Sequence, residues 1–198
     1  MTTEPITPAG ALRSLRTAAP ADLLDRVIER AGLGYSYARV ETAIGSLYVA
    51  FSAKGVVACE RARSGAAFER AARARFGRPV SHAPALPAAL DRAVRTGRTR
   101  SVPLDLKVGA FQRAVLEAAA RIPPGEVRPY AWVAREIGRP RAVRAVGSAL
   151  ARNPAPVLVP CHRVVRSDGT AGDYVFGPAR KRALLAAEGV TLGASRPR

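Results

Sequence analysis

The hydrophobic pattern of the chain changes near residue 107, and this change constrains the fold more than any other feature of the sequence. Before it lie short runs rich in Val, Tyr and Phe, separated by turns that contain Gly, and these predict a β-meander. Its strands are predicted at 37–42, 46–51 and 56–59. Helices at 65–76 and 86–96, a loop at 79–87 and a short strand at 102–106 complete this part. After residue 107, apolar residues recur at helical spacing. The sequence therefore predicts the α+β class, with a mostly helical second half.

The second half contains short helices predicted at 111–119, 130–137, 141–151 and 178–188. The pair at 130–137 and 141–151 is joined by the turn Gly138-Arg139-Pro140, an arrangement typical of a helix-turn-helix. An apolar run at 157–159 is predicted as a strand that leads into residues 160–164. The last helix begins with Pro178 and ends before Gly189, as many helices do.

These patterns divide the chain into four segments. Residues 1–35 form an N-terminal extension of unknown role. Within it, the spacing of an amphipathic helix is kept by Leu23, Leu24, Val27, Ile28 and Ala31. Residues 36–106 form a small first domain, residues 107–192 form a second domain, and residues 193–198 form a tail.

The chain is strongly basic, with 32 Lys and Arg residues against 15 Asp and Glu residues and a formal net charge of +17. Almost all of these cations are Arg, whose planar guanidinium pairs well with phosphate. The excess favours nucleic acid as a partner, although coding bias also produces Arg-rich chains. Because no long apolar run and no secretory signal are found, the sequence predicts a cytoplasmic protein without a membrane partner.

The two cysteines have different surroundings. Cys59 lies in a predicted strand and is interpreted as a small packing residue. Cys161 is followed directly by His162, and a thiolate beside a base is a candidate nucleophile. Neighbours on an extended segment point to opposite faces, so His162 is expected to reach the thiol only through a bend or a water. With two Cys and two His in the chain, a four-ligand zinc site is not expected, and no metal is predicted.

The order of these motifs resembles a known family. Arg144-Ala-Val-Gly, Asn153-Pro154 and the run Val-Leu-Val-Pro-Cys-His-Arg-Val-Val at 157–165 resemble the O6-alkylguanine-DNA alkyltransferases, also called methylated-DNA–protein-cysteine methyltransferases. The resemblance extends from about 111 to 189. Less closely, residues 37–106 are similar to the family's ribonuclease-H-like domain. The resemblance implies such a domain at 36–106. It is followed by a mostly helical domain with a winged-helix-like helix-turn-helix and an active-site Cys loop.

The resemblance also implies roles for individual residues. Cys161 accepts the alkyl group, His162 draws off its proton through a water, and Glu188 orients His162. Asn153 joins the helix-turn-helix to the active-site segment, and Tyr130 helps to rotate the target nucleotide. The residues expected to contact the substrate are Tyr174, Val175, Val164 and Arg144.

The helix predicted at 141–151 is expected to enter the minor groove, whose readout is nearly independent of sequence. Its core face is predicted from Val143, Val146 and Leu150, and its groove face from small residues. The residues expected to contact DNA are Arg128, Arg141, Ala142, Arg144, Ala145, Ala149 and Arg152. The implied partner is double-stranded DNA that carries O6-alkylguanine, bound by a monomer.

The implied reaction is a direct, stoichiometric transfer of the alkyl group to Cys161, after the nucleotide has flipped out of the duplex. The thioether product is stable, so one protein molecule reacts once, and no cofactor is needed. O4-alkylthymine is a second candidate substrate. The sequence departs from the family pattern at Val175 and Phe176, where small residues are usual, and a bulky ring there could narrow the pocket, reshape it or point outward.

Three other readings of the motifs stay open. A relative that binds DNA lesions without chemistry would share the fold, although such relatives replace the acceptor cysteine. A transcription factor would use the helix-turn-helix to recognise one operator. A cysteine hydrolase would use Cys161 and His162 with turnover, but it would leave the helix-turn-helix and the charge unexplained.

Overall fold

The computed structural model describes residues 33–192 together with Leu23, Val27, Ile28 and Ala31. In chain order its elements are β1 (Tyr35–Thr42), β2 (Gly45–Ser52), β3 (Gly55–Glu60), α1 (Gly65–Phe76), β4 (Val80–His82), α2 (Ala88–Thr96), α3 (Ala110–Ala120), β5 (Arg128–Pro129), α4 (Tyr130–Glu136), α5 (Val143–Ala151), a 3-10 turn (Cys161–Arg163), β6 (Val164–Val165) and α6 (Pro178–Ala187). The fold is therefore mixed α/β, with one four-stranded sheet, a two-stranded parallel pair of β5 and β6, and several helices.

The N-terminal helix predicted from the spacing of apolar residues is seen only in part. Leu23, Val27 and Ile28 are helical, and the amide of Ala31 donates to the carbonyl of Val27. The remainder of that prediction, including Leu24, and the tail at 193–198 lie outside the described residues.

The predicted meander is confirmed, and a fourth strand extends it. The sheet has the order β3-β2-β1-β4, in which β1, β2 and β3 are antiparallel neighbours and β4 is parallel to β1. The prediction of a plain loop at 79–87 was therefore wrong at Val80–His82. Only Val80 of these three residues is buried, so the strand carries no alternating pattern that could have revealed it.

The prediction of a strand at 102–106 was also wrong. That segment makes one isolated bridge, between Leu104 and Val56. Pro103 accepts a hydrogen bond from the amide of Val56, and Asp105 donates one to the carbonyl of Val56. Proline has no N–H to donate to a ladder, so the pairing stops there.

The alternation of side chains along the sheet supplies two separate apolar clusters. One face of the sheet places Tyr37 and Tyr48 against Phe68 of α1, and the rings of Tyr48 and Phe68 stack 5.4 Å apart. The other face belongs to a larger cluster that includes Val49, Leu116 and Leu158. The sheet and the helical half therefore share one core across residue 107, and apolar burial stabilises them together.

The helices predicted in the second half are confirmed, with one change at α5. This helix begins at Val143, and Arg141 and Ala142 belong to the preceding turn. Gly138 has a φ of 68°, and the amide of Arg139 donates to the carbonyl of Ala134. The left-handed conformation of Gly138 ends α4, and residues 139–142 form the turn that precedes α5.

The strand predicted at 157–159 is wrong as well. This segment is a tight turn with a single bridge between Pro156 and Val159, and Val157 has a φ of 74°. The prolines at 154, 156 and 160 remove the donors that a ladder would need. The apolar character of the run reflects complete burial rather than a β-strand.

None of the helices in the described part of the chain is long and apolar enough to cross a membrane.

Two glycines that begin strands of the meander give a test of the packing. Gly55 has a φ of 134°, and a Cβ there would overlap the backbone carbonyl of Pro103; Gly45 has a φ of 92° with open space around it. We expect Gly55→Ala to lower the free energy of unfolding by about 1 to 3 kcal/mol more than Gly45→Ala, because only the first adds overpacking to backbone strain. Urea titrations of both variants measure this difference. Equal losses of unfolding free energy in the two variants would show that Pro103 moves away from the added Cβ without an energetic cost.

Candidate active site

The segment that carries Cys161 is buried without interruption from residue 153 to residue 165. The side chain of Asn153 organises it. Its Oδ1 accepts from the amide of Ala155 at 3.0 Å, and its Nδ2 donates to the carbonyl of Val159 at 3.0 Å and to Sγ of Cys161 at 3.0 Å. Asn153 follows directly on the end of α5, so one amide side chain connects that helix to the thiol. A β-branched residue at positive φ within this segment, Val157, persists because the surrounding packing holds it.

Cys161 begins the 3-10 turn and is only 4 % exposed. Burial raises the pKa of its thiol to about 11, although the hydrogen bond from Asn153 and the charge of Lys181 act in the opposite direction. A buried thiol in apolar surroundings stays protonated at neutral pH. The DNA-free protein therefore holds a neutral thiol that needs a base before it can act as a nucleophile.

His162 and Glu188 are brought together from distant parts of the chain. Nε2 of His162 lies 3.1 Å from Oε1 of Glu188, and Nδ1 of His162 is buried without a hydrogen-bond partner. Burial lowers the pKa of His162 against the influence of Glu188, so the ring is neutral and can accept a proton. The bend expected between Cys161 and His162 is present as the 3-10 turn, and no direct hydrogen bond joins their side chains.

Arg163 was missed by the sequence reasoning. It is buried, and its guanidinium donates to both carboxylate oxygens of Glu188, at 2.9 and 2.7 Å. It also donates to the carbonyl of Ile122 at 2.7 Å and to that of Gly97 at 2.9 Å. Burial opposes ionisation of Glu188, but the hydrogen bonds from His162 and Arg163 outweigh it and lower the pKa of this carboxyl to about 2. Glu188 is therefore an anion that orients His162.

A cavity of about 460 Å³ opens in front of Cys161. It lies between α4, α5 and the loop before α6. Of the residues expected to bind substrate, Tyr174 and Arg144 line this front pocket, whereas Val164 and Val175 do not. Val164 is buried beneath it, and Val175 points to solvent. Arg166, which the sequence reasoning did not single out, is also part of its wall.

Tyr130 lines the front pocket beside Tyr174. Its hydroxyl lies 3.5 Å from the carbonyl of Asp173, and burial raises its pKa. The hydroxyl of Tyr174 is buried without a partner. The hydroxyl of Tyr174 therefore has a hydrogen-bond donor without a partner, whereas that of Tyr130 makes one long hydrogen bond to the backbone.

Phe176 does not line the front pocket. Its ring meets the ring of Tyr174 edge-on, with centroids 5.7 Å apart, and it packs against the main core. Among the possible effects of a bulky ring here, narrowing of the pocket is therefore not observed. Phe176 supports Tyr174 from behind, since edge-to-face pairs hold aromatic rings in a defined orientation.

Lys181 is a second residue that the sequence reasoning missed. It is 0 % exposed, and no carboxylate lies within ion-pair distance of it among the residues that the structure describes. Its Nζ donates to the carbonyl of Val164 at 2.5 Å and to that of Asp173 at 3.4 Å, and it lies 5.8 Å from the ring centre of Tyr130. Burial lowers the pKa of Lys181 to about 8. Its charge favours the thiolate form of Cys161.

The outer face of α5 is only partly as predicted. Arg141, Arg144, Ala145 and Arg152 are exposed, and Ala142 is half-buried. Ala149 is 1 % exposed and packs in the core beside Val146 and Leu150, so its assignment to the groove face was wrong. The carbonyl of Ala149 accepts from Nε2 of Gln112 at 3.1 Å, because this side of α5 faces α3.

Arg128 lies away from α5. Its guanidinium pairs with Glu126 at 2.5 Å and lies 5.9 Å from the ring centre of Trp132. The described residues contain no group of three or more His, Cys, Asp or Glu side chains placed to hold a metal ion.

The contact between Asn153 and the thiol makes a prediction about reactivity. We expect carbamidomethylation of Cys161 by iodoacetamide to rise about tenfold per pH unit between about pH 7 and 10, in step with its thiolate fraction. Asn153→Ala should slow it at each pH, because the amide that stabilises the thiolate is lost. Asn153→Asp should slow it further, because a carboxylate repels the thiolate. Mass mapping of Cys161 gives the rates. If Asn153 only shaped the loop, the Asp variant, which keeps the acceptor for Ala155, would react faster than the Ala variant.

The ion pair of Glu188 makes a prediction about acid stability. Because the pKa of Glu188 is lowered from 4.5 to about 2, its contribution to folding is complete above pH 4.5 and is lost as the pH falls towards 2. We expect the free energy of unfolding of the wild-type protein to fall by about 2 to 3 kcal/mol across this range, and we expect no such fall in Glu188→Gln. Urea unfolding at a series of pH values measures it, with Glu117→Gln on the exposed face of α3 as the control. Parallel pH curves for wild type and Glu188→Gln would contradict it.

Comparison with known proteins supports the resemblance noted in the sequence. Residues 110–190 match the family model described as 6-O-methylguanine DNA methyltransferase, DNA binding domain. The bifunctional transcriptional activator/DNA repair enzyme Ada of Escherichia coli is 49 % identical over 88 residues, which cover 44 % of this chain and 25 % of Ada. A methylated-DNA–protein-cysteine methyltransferase of Mycobacterium tuberculosis is 48 % identical over 87 residues, covering 44 % of this chain and 53 % of that protein. These matches thus span between a quarter and about half of the curated relatives.

The match to a solved structure is longer. The crystal structure of Mycobacterium tuberculosis OGT in complex with DNA superposes with a TM-score of 0.63 at 34 % identity, and the alignment covers 77 % of this chain and 92 % of that chain. This alignment reaches beyond residues 110–190 into the sheet, so the likeness is not confined to the segment that carries the motif. The chain therefore belongs to the O6-methylguanine-DNA methyltransferase family.

Proposed function

We propose that this protein repairs DNA by moving the alkyl group from O6 of an alkylated guanine onto Cys161, once per molecule. The observation that carries the proposal is the position of Cys161, whose thiol forms part of a pocket that is also lined by Arg144, Gly147 and Ser148 of the exposed helix α5. A group that enters from DNA lying on α5 would meet the thiol directly. The names of the relatives, which include methylated-DNA–protein-cysteine methyltransferases, agree with this reading.

The reaction needs three events at the sulfur. His162 takes the thiol proton, with a water as the expected link, and Glu188 keeps the ring oriented through Nε2. The thiolate then attacks the alkyl carbon, a C–S bond forms, and the electron pair of the C–O bond passes to O6 of guanine. The guanine takes up a proton, and Tyr130 at the pocket wall is placed to donate a hydrogen bond to it. The thioether formed at Cys161 is not hydrolysed to the free thiol by water, so each protein molecule reacts once.

Charge and shape support DNA as the partner. Arg141, Arg144 and Arg152 are exposed around α5, in a chain with a net charge of +17. Their guanidinium groups suit phosphate, which gives an affinity that depends on salt rather than on sequence. Arg144 is both exposed and part of the pocket wall, so it is placed to fill the space that a flipped nucleotide leaves in the duplex. The small side chain of Ala145 permits a close approach to the groove.

The finer division of the fold is part of the same proposal. Residues 36–106 would form the ribonuclease-H-like domain, and residues 107–192 would form the winged-helix-like DNA-binding domain, with 1–35 as an extension and 193–198 as a tail. A monomer is the expected binding unit, O4-alkylthymine is a second candidate substrate, and the cytoplasm is the expected location. Asn153, Tyr174, Val164 and Val175 keep the roles that the family resemblance implies, although the last two act from outside the pocket wall.

The proposal is tested by intact mass spectrometry after the protein is mixed with a duplex that carries one O6-methylguanine. We expect a gain of one methyl group per molecule, mapped to Cys161 by peptide digestion and lost in Cys161→Ser. Cys59→Ser is the matched control and should still gain the methyl group, because Cys59 is buried in the core and does not line the front pocket.

Each alternative predicts a different result in the same experiment. Tight binding to the lesion without any mass gain would leave a lesion-binding protein. Turnover of a small ester, with no methyl transfer, would indicate a cysteine hydrolase. A sharp preference for one DNA sequence would favour a regulator, whereas equal affinity across sequences, falling steeply with salt, would argue against it.

A further inference from the structure

A second cleft, distinct from the front pocket, reaches His162 and Glu188. This rear cleft has a volume of about 450 Å³ and lies between the β1–β2 turn, the end of α2 and the end of α6. Its walls include His162 and Glu188 but not Cys161, whereas the front pocket is lined by Cys161 but not by His162 or Glu188. The adjacent residues Cys161 and His162 therefore face two different cavities.

The imidazole of His162 lines the rear cleft and meets edge-on, at 6.2 Å between ring centroids, the ring of Tyr174, which lines the front pocket. Its Nε2 meets Glu188 on the rear side, so its Nδ1, which is buried and unpartnered, is directed away from the rear cleft. Exposure to solvent increases from His162 towards the rear cleft, since the side chain of His162 is 1 % exposed and that of Glu188 is 13 % exposed. Nδ1 of His162 therefore faces the protein interior, and Nε2 faces a cleft that is open to solvent.

We infer that the rear cleft is the exit by which the thiol proton reaches solvent while DNA covers the front pocket. The inference rests on the proposed alkyl transfer. It concerns the route of one proton, which leaves the sulfur, reaches Nδ1 of His162, and is released from the Nε2 side past Glu188 to water in the cleft. The leaving guanine is an anion, and it takes up one proton from solvent on the front side when the duplex leaves the pocket, so one proton is released and one is taken up for each transfer.

Two features of the site favour release over storage of this proton. Protonated His162 would be a cation next to the guanidinium of Arg163 and near the ammonium of Lys181, and both raise the cost of keeping it charged. Glu188 is held as an anion by Arg163, which makes it a relay rather than a final acceptor. Cys161 and Tyr174 are the other titratable groups near the ring, and neither is an acceptor in its neutral form.

The front side cannot serve as the exit during the reaction. Its opening is bordered by Arg144, Gly147 and Ser148 of α5, the helix proposed to lie on DNA, and the flipped base would fill the pocket itself. The rear cleft is bordered instead by Glu41, Thr42 and Thr96, whose polar side chains suit water. Arg95 at the same border is paired with Asp91, so no unpaired cation repels a proton there.

The test places an indole in the rear cleft from two independent elements, with Ala43→Trp in the β1–β2 turn and Ala187→Trp at the end of α6. Both alanines line the cleft and are exposed. The matched controls are Ala53→Trp in the next turn of the meander and Ala186→Trp on the same helix, which are exposed outside the rear cleft. Crystal structures of the variants verify that the ring occupies the cleft.

Methyl transfer from the lesion duplex is measured under single-turnover conditions in H₂O and D₂O. We expect both cleft variants to react at least about tenfold more slowly than wild type, with a larger solvent isotope effect, because proton release becomes limiting. Carbamidomethylation of Cys161 by iodoacetamide without DNA should not change, because the front pocket is then open. Lesion-duplex affinity and both control variants should match wild type.

Three results would overturn the inference. Transfer at the wild-type rate with the indole seated in the cleft would show that the proton leaves elsewhere. An equal slowing of methyl transfer and carbamidomethylation, without a larger isotope effect, would show damage to the thiol site instead of a blocked exit. Absence of transfer by the wild-type protein itself would overturn the proposed function first, and this inference with it.

Discussion

The buried contact between Arg163 and Glu188 is the interaction on which the rest of the site depends. One guanidinium holds both oxygens of the carboxylate and reaches the carbonyls of Gly97 and Ile122, so it connects α2, α3 and the end of α6 to the turn that carries Cys161. Desolvating two charges is expensive, and such a pair is stable only when further hydrogen bonds satisfy both partners. Those bonds are present here, and they set the position of His162 through Glu188.

Burial controls the chemistry of the thiol in two opposing ways. It keeps Cys161 protonated, which protects it from stray electrophiles, and it also concentrates the influence of the few polar groups that touch it. Asn153 donates to the sulfur, and Lys181 supplies a positive charge from behind the pocket wall. The thiol is therefore inert until a base removes its proton, and in the proposed reaction His162 would carry that proton away from the side on which guanine approaches.

Much of the site could be predicted from local sequence, and the misses have physical reasons. His162 and Glu188 were expected to pair, and they do. Arg163 and Lys181 were overlooked because 32 basic residues in one chain look alike until burial distinguishes them. Ala149 was placed on the wrong face because it was grouped with the other small residues, although it lies three residues after Val146 and next to Leu150 on the buried face. The strands predicted at 102–106 and 157–159 failed because proline had removed the donors that pairing requires.

The sequence by itself determined the meander, the order of the helices, the cysteine next to its base and the basic character of the surface, because each of these depends on neighbouring residues and on hydrophobic period. Only the tertiary structure decided that the sheet and the helices share one core, that Phe176 supports Tyr174 without entering the pocket, and that His162 faces a cleft of its own. These features arise from contacts between residues far apart in the chain. Their energies depend on burial and geometry, which no local pattern encodes.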